Sequence, residues 1–212
     1  MSLPKDFLDK MQTLLKEEYE AFINSYEQEK SLGLRVNTLK TTLDQFETLN
    51  KFDLKSIPWV PEGYFYQQAD RPGKHPYHEA GVYYIQEPSA MSVGTFVEAV
   101  PGEKVLDLCA APGGKSTHVA SQLQQEGLLI TNEIYPQRAK ILSQNIERMG
   151  IKNAVVVNES PQKLAKHFPS YFDRIVVDAP CSGEGMFRKD EVAQEEWSLE
   201  NVRICADRQA DI

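Results

Sequence analysis

Residues 104–117 read Lys104-Val-Leu-Asp-Leu-Cys-Ala-Ala-Pro-Gly-Gly-Lys-Ser-Thr117: a short β-rich run, a turn of small residues and the start of a helical pattern. That order brings backbone up to a ligand at a helix N-terminus. Downstream, β-rich runs at 128–132, 154–157 and 174–177 alternate with helical patterns near 115–125, 136–149 and 161–167. Pro136 and Pro161 suit first-turn positions and Gly150 suits a helix stop. Strands alternating with helices predict a mostly parallel sheet with right-handed crossovers, an α/β Rossmann-like domain. With no strand after Val177 the sheet reads as incomplete, and its edge at that strand as exposed. The helical stretch from Glu191 to Ile212 reaches the last residue without Gly, Pro or a polar tail, so the chain reads as truncated there.

Upstream the texture differs. From Pro4 to Tyr26, Phe7, Leu8, Met11, Leu14, Leu15, Tyr19 and Phe22 recur at three- and four-residue steps, which predicts one or two amphipathic helices. Leu32 to Asn37 alternates as a strand, and Leu43, Phe46 and Leu49 return to helical spacing, as in a small β-α-β unit. Ile57 to Gly63 and Arg71 to Pro76 are punctuated by Pro and Gly and read as loops beside a short strand at 64–66. The division expected is a small α+β domain over 1–95, a linker near 90–102, and the Rossmann-like domain over 96–212.

The 212 residues, 41% apolar and 25% charged, describe a globular chain, and a net charge of −8 excludes a polycation that binds nucleic acid everywhere. Met1 to Lys10 lacks the apolar core of a signal peptide and no later run is long enough for a membrane span, so a cytoplasmic protein is expected. Cys109, Cys181 and Cys205, odd in number and irregularly spaced, fit neither a disulfide framework nor a zinc site; no metal is expected.

The turn is neither G-x-G-x-x-G nor G-x-x-x-x-G-K-[ST], which removes the usual dinucleotide and triphosphate fingerprints. Gly113 and Gly114 form one tight pair, and Glu133, 20 residues after Gly113, stands just past the second strand, where a carboxylate accepts both hydroxyls of a ribose. Alone, the glycines also suit a plain tight turn and Glu133 a solvated acid; together at this spacing they favour a nucleoside-type cofactor. Arg174-Ile-Val-Val-Asp178 then ends a strand in an acid and runs into Ala179-Pro-Cys-Ser-Gly-Glu-Gly185. At that strand end Asp178 and Cys181 face the same crevice, an acid and a thiol suited to proton transfer or nucleophilic chemistry on a planar base. A buried packing role is the other reading of Cys181.

These strings resemble the Sun-type (Fmu/Nop-like) S-adenosylmethionine-dependent RNA cytosine-5 methyltransferases, in their bacterial ribosomal RNA branch. Leu34-Arg-Val-Asn-Thr38, Tyr83 to Met91, Asp107 to Lys115, Asn132-Glu133 and Asp178-Ala-Pro-Cys-Ser-Gly183 match in the family's order over about residues 32–190. The resemblance implies a class I methyltransferase fold. It also implies that Cys109, Ala110, Ala111, Pro112, Gly113, Gly114 and Lys115 wrap the methionine end of the cofactor, Glu133 holds its ribose, and Arg138 lies near it. Glu159 occupies the place of an Asp near the adenine, in a departing local string, Asn158-Glu-Ser-Pro161. Asp178 would lie between cofactor and cytosine and Cys181 would assist product release, both as catalytic residues. The family's nucleophile sits in a later Thr-Cys string, and no Thr precedes a Cys in this chain. The expectation is therefore a fragment carrying the cofactor half of a 5-methylcytosine-forming enzyme of small-subunit ribosomal RNA. Its rival is a catalytically silent RNA-binding or assembly protein that keeps the cofactor fold. Arg35, Lys40, Arg71, Lys74, His75, Arg188 and Lys189 are candidate phosphate contacts, and Tyr64, Phe65, Tyr66, Tyr83 and Tyr84 either stack on bases or pack in a core. The identity of the cytosine and the oligomeric state lie beyond the sequence.

Overall fold

The apolar steps before Tyr26 form two helices, α1 (Lys5–Leu15) and α2 (Tyr19–Ser25). The computed structural model describes residues 3–189 and 191–212. After α2 come β1 (Gly33–Val36), α3 (Leu43–Leu49), β2 (Lys55–Ile57), β3 (Val60–Phe65), α4 (Pro76–Glu79), β4 (Tyr83–Ile85) and α5 (Pro88–Val97). The alternating part follows as β5 (Lys104–Asp107), α6 (Gly114–Leu123), β6 (Leu128–Asn132), α7 (Pro136–Met149), β7 (Ala154–Val157), α8 (Pro161–His167) and β8 (Arg174–Val176), and α9 (Glu191–Glu195) and α10 (Leu199–Ala210) end the chain. The stretch expected as one last helix is two, because Ser198 caps a fresh start by accepting from the Asn201 amide.

Two compact units result: residues up to Lys30 together with Ala179–Ile212, and Ser31–Asp178. The first is held by Phe7, Phe187 and Trp197, with Phe7 edge-on to Phe187 at 5.0 Å and to Trp197 at 5.6 Å. Glu184 ties it further, accepting from Trp197 Nε1 and Lys10 Nζ, each at 3.0 Å.

The second unit contains two sheets. One, ordered β2-β3-β1-β4, is antiparallel throughout and buries Leu34, Val36, Tyr64 and Tyr83 against Phe46 of α3. The expected β-α-β unit is corrected here: β1 pairs with β3 and β4, and β2 lies on the far edge. The cause is the segment at Ile57, read as a loop from its prolines. Pro58 and Trp59 form a tight turn that sends β3 back along β2, with Ile57 opposite Val60. Pro61 is tolerated because β3 meets β1 only from Gly63 onward. The supposed linker at 90–102 is also corrected, since most of it is α5. Pro88 starts that helix, the Glu87 carboxylate accepts from the Ala90 amide at 2.9 Å, and Met91 and Gly94 are buried. At Gly94 the helix backbone lies so close to α6 that a Cβ would stand 2.1 Å from His118 Nδ1.

The other sheet, ordered β7-β6-β5-β8, is parallel throughout, as the alternating pattern requires. Val105, Leu129 and Val176 of its strands pack with Val119 and Leu123 of α6 and Leu142 and Ile146 of α7. Among the described residues β8 pairs only with β5, leaving an edge on which Ile175 and Val177 are exposed.

Polar side chains from the turn after β1 join the two sheets. Asn37, fully buried, donates from Nδ2 to the carbonyls of Gly81 and Met149, both at 2.8 Å, and accepts from the Leu39 amide at 3.2 Å. Lys40 Nζ donates to Ala80 O at 2.6 Å and Arg148 O at 2.7 Å, placing a cation at the C-terminal end of α7 where the helix dipole favours it.

Candidate functional site

The end of β5 runs into Cys109–Gly113, and this turn is fastened from three sides. The Ala110 amide donates to Asn132 O at the end of β6, at 2.8 Å. From α7, Arg138 Nη2 donates to Ala111 O at 2.9 Å and Asn145 Nδ2 to Pro112 O at 2.8 Å. From the antiparallel sheet, Arg35 Nη2 donates to Gly114 O at 3.1 Å and to Thr117 Oγ1 at 2.8 Å. Gly113 adopts φ +113°, a conformation that favours glycine, and its Cβ would come within 3.2 Å of Leu142. Glycine is thus favoured by conformation and by the close approach of Leu142, and α6 starts directly from this fixed turn.

Glu133 stands where β6 ends, with only 3% of its surface exposed. Its Oε1 accepts from the Tyr135 amide at 3.0 Å and its Oε2 lies 3.3 Å from Arg138 Nη1, so one arginine touches both the acid and the turn. Asn132, beside it, closes the strand ends: Nδ2 donates to Leu108 O and Glu159 O, each at 3.0 Å, and Oδ1 accepts from the Glu159 amide. The half-exposed side chains of Ile134 and Tyr135 give an apolar border next to the acid.

Glu159 itself reaches this site through its backbone. Its carboxylate pairs with Lys163 one helical turn on, at 2.8 Å, which holds it below the usual carboxylate range. Asp178, exposed after β8, pairs with Lys115 Nζ at 2.6 Å. The structure therefore brings Cys109–Lys115, Glu133, Arg138 and Asp178 to one end of the parallel sheet. Cys181 is exposed and belongs to the other compact unit. Cys109 is half-buried; burial first, then the carboxylates of Asp107, Glu133 and Asp178, push its thiol up. It stays protonated at neutral pH, which suits a wall of the turn and not a nucleophile.

Four residues of this site carry no expected role in the sequence reading: Asp107, Asn132, Asn145 and Arg35 as an anchor. Asp107 is held against its charge. Burial raises its carboxyl to about 6 despite the Ser116 hydroxyl donating to Oδ2 at 2.6 Å, and Oδ1 is buried with no hydrogen-bond partner among the described residues. A raised carboxylate favours the folded state only while protonated, so its contribution is full below the ordinary value of 3.8 and fades as pH rises through 6. A rise of this size corresponds to ~3 kcal/mol. Asp107→Asn is therefore expected to gain stability relative to the parent as pH rises from 4 to 7, read by urea unfolding at both ends. A difference that does not change with pH would contradict this account.

Arg35 and Lys40 are corrected as phosphate contacts: Arg35 is fully buried and Lys40 Nζ is engaged with two carbonyls. Base stacking is likewise corrected for Tyr64, Tyr83 and Tyr84, which are buried in the core. Arg71 and Lys74 remain exposed, while the His75 ring packs edge-on against Phe52 and Tyr77.

Two family models match the chain. Residues 3–88 match the N-terminal domain of 16S rRNA methyltransferase RsmF, and residues 95–212 match 16S rRNA methyltransferase RsmB/F. The chain is 37% identical to ribosomal RNA small subunit methyltransferase F of Pectobacterium atrosepticum, over 100% of its own length and 46% of that protein's. It is 38% identical to the protein of that name from Vibrio vulnificus, over 99% and 47%. The chain thus spans about half the length of these relatives. Among solved structures, a methyltransferase homologue from Pyrococcus horikoshii superimposes with a TM-score of 0.81 at 28% identity, over 97% of this chain and 66% of that one. NSun6 from the same organism superimposes with a TM-score of 0.83 at 20% identity, over 97% and 77%, a likeness of fold.

Proposed function

Because the chain belongs to the RsmB/F family of 16S rRNA methyltransferases, we propose that it holds S-adenosylmethionine at the glycine turn and serves to form 5-methylcytosine in small-subunit ribosomal RNA in the cytoplasm. The observation that carries this reading is the pairing of the fixed, Cβ-free turn at Gly113 with the buried carboxylate of Glu133, joined through Arg138. These residues fit such a cofactor: two glycines without side chains at the helix start, a carboxylate for ribose hydroxyls, and an apolar border for a planar base.

When bound, the cofactor supplies an electrophilic methyl group. The residues of the chain hold and orient. Cys109–Lys115 take the methionine end, Glu133 and Arg138 the ribose end, and Glu159 lends its backbone to the strand ends. Lys115 keeps Asp178 in place through their 2.6 Å ion pair, and Asp178 is the group we assign to the cytosine edge, where it would donate or accept a proton. We assign Cys181 to release of the methylated base, as the resemblance implies. Attack on C6 takes a further thiolate. The region before residue 96 is proposed to contact the RNA, with Arg71 and Lys74 as its exposed cations.

Bisulfite sequencing of small-subunit ribosomal RNA from cells with and without the gene tests the reaction. Loss of a discrete non-converted cytosine on deletion is the expected result. Identical conversion at every cytosine would refute the assignment.

A further inference from the structure

Arg35 is the largest fully buried side chain of the described residues, and it is a cation. It reaches from β1 of the antiparallel sheet to the first turn of α6, donating through Nη2 to Gly114 O and Thr117 Oγ1, with Nε 3.4 Å from Gln86 Oε1. Gln86 in turn packs against Gly114, where a Cβ would stand 3.1 Å from its Nε2. The next two residues are fastened independently, Lys115 to Asp178 and Ser116 to Asp107. Every residue of that helical turn is thus pinned, and Arg35 supplies the pin at both ends.

A core role alone accounts poorly for this choice. Burying a guanidinium is expensive, and an apolar side chain of similar volume commonly serves a buried site as well or better. Burial lowers the Arg35 guanidinium to about 10 although the charge of the Glu62 carboxylate acts against it, and Nη1 has no hydrogen-bond partner among the described residues. A cation beside a helix N-terminus also opposes the helix dipole. What the guanidinium does supply there is directional: one nitrogen fixes both Gly114 O and Thr117 Oγ1, the two ends of the first turn of α6.

We infer that Arg35 is a positioning residue for the glycine turn: its guanidinium sets where the backbone at Gly114 stands, and so how the turn receives the carboxylate-bearing methionine end of the cofactor. The inference rests on the cofactor reading above. It separates the two ends of the ligand, because Arg35 touches the turn at Gly114 and Thr117 while the ribose carboxylate is held by Arg138 and the Tyr135 amide.

The test is calorimetric titration of the chain with S-adenosylhomocysteine and with 5′-methylthioadenosine, which keeps the nucleoside and lacks the amino-acid tail. Arg35→Met is expected to stay folded, to lose about tenfold in affinity for S-adenosylhomocysteine and to change by less than about twofold for 5′-methylthioadenosine. Arg35→Lys, which keeps the charge and loses the planar fork, falls between, and Thr117→Val moves in the same direction by a smaller factor. Equal losses for both ligands, or no loss for either, overturn the inference. If Arg35→Met melts below the assay temperature, the other two variants decide by the same criterion. An unsubstituted chain that binds 5′-methylthioadenosine but not S-adenosylhomocysteine, or neither, overturns the cofactor reading itself and this inference with it.

Discussion

Asn37→Asp is expected to unfold the 31–178 unit or bring its melting temperature down further than any other single polar substitution described here. The amide at this position donates to two carbonyls, Gly81 O and Met149 O, from a site with no solvent exposure. The aspartate is nearly isosteric, so no cavity forms; the change is one of sign. A carboxylate oxygen would face two carbonyl oxygens at about hydrogen-bond distance, and the cation close by, Lys40 Nζ, is already engaged with the carbonyls of Ala80 and Arg148. Leaving a buried charge unpaired costs ~3–5 kcal/mol, a large part of the ~5–15 kcal/mol that holds a domain of this size. Urea unfolding followed by circular dichroism measures it, and a loss below ~1 kcal/mol would mean that Asn37 does not staple the β1 turn to the end of α7. Raising the proton concentration should recover part of the loss, because a protonated aspartic acid can donate again.

Glu133→Ala carries the largest effect on ligand binding. Its carboxylate is positioned by the Tyr135 amide and Arg138, and hydrogen bonds to a charged acceptor are worth ~1.5–3 kcal/mol each. Two ribose hydroxyls lost together amount to ~3 kcal/mol or more, so affinity for S-adenosylhomocysteine is expected to fall by about 100-fold or more. Glu159→Ala supplies the contrast. The Glu159 carboxylate is part-exposed and engaged with Lys163, so its removal is expected to change affinity by less than about threefold. Calorimetry on both variants measures the difference. Equal affinities in Glu133→Ala and the parent would remove the ribose role from Glu133; a larger loss in Glu159→Ala would move the nucleoside to the other side of Asn132.

Much of the parallel half is legible in the chain alone. The runs at 128–132 and 154–157 coincide with β6 and β7, and the patterns at 136–149 and 161–167 with α7 and α8. Pro136, Pro161 and Gly150 stand at the ends of helices, where proline's fixed φ and glycine's positive φ are at home. These are local properties, decided within a few residues. The glycine turn and Glu133 are legible for the same reason, since strand, turn, helix and strand follow one another without interruption.

The antiparallel half is less legible. Ile57 to Gly63 shows prolines, which speak for loops, yet the two-residue turn at Pro58-Trp59 and the late start of β1 pairing accommodate both prolines inside a hairpin. α5 is hidden in a segment of small residues, Ser89, Ala90, Ser92 and Gly94, whose meaning lies in the close approach to His118 of α6. Arg35 and Lys40 look like surface cations because arginine and lysine are exposed in most settings. Their partners are far away in the chain: Arg35 meets Gly114 79 residues on, and Lys40 meets Arg148 O 108 residues on.

The amino-acid sequence by itself determined the family, the alternation of strands and helices, and the residue types at the cofactor turn. Each of these is written in short windows, where backbone preference and hydrophobic period act without reference to the rest of the molecule. Only the tertiary structure decided which buried polar groups meet, that Asp107 is buried beneath the turn, that Cys109 keeps its proton, and that a cation from the first sheet holds the first turn of α6. Desolvation and pairing energies exist only once distant segments have closed on one another, so no reading of neighbours along the chain contains them.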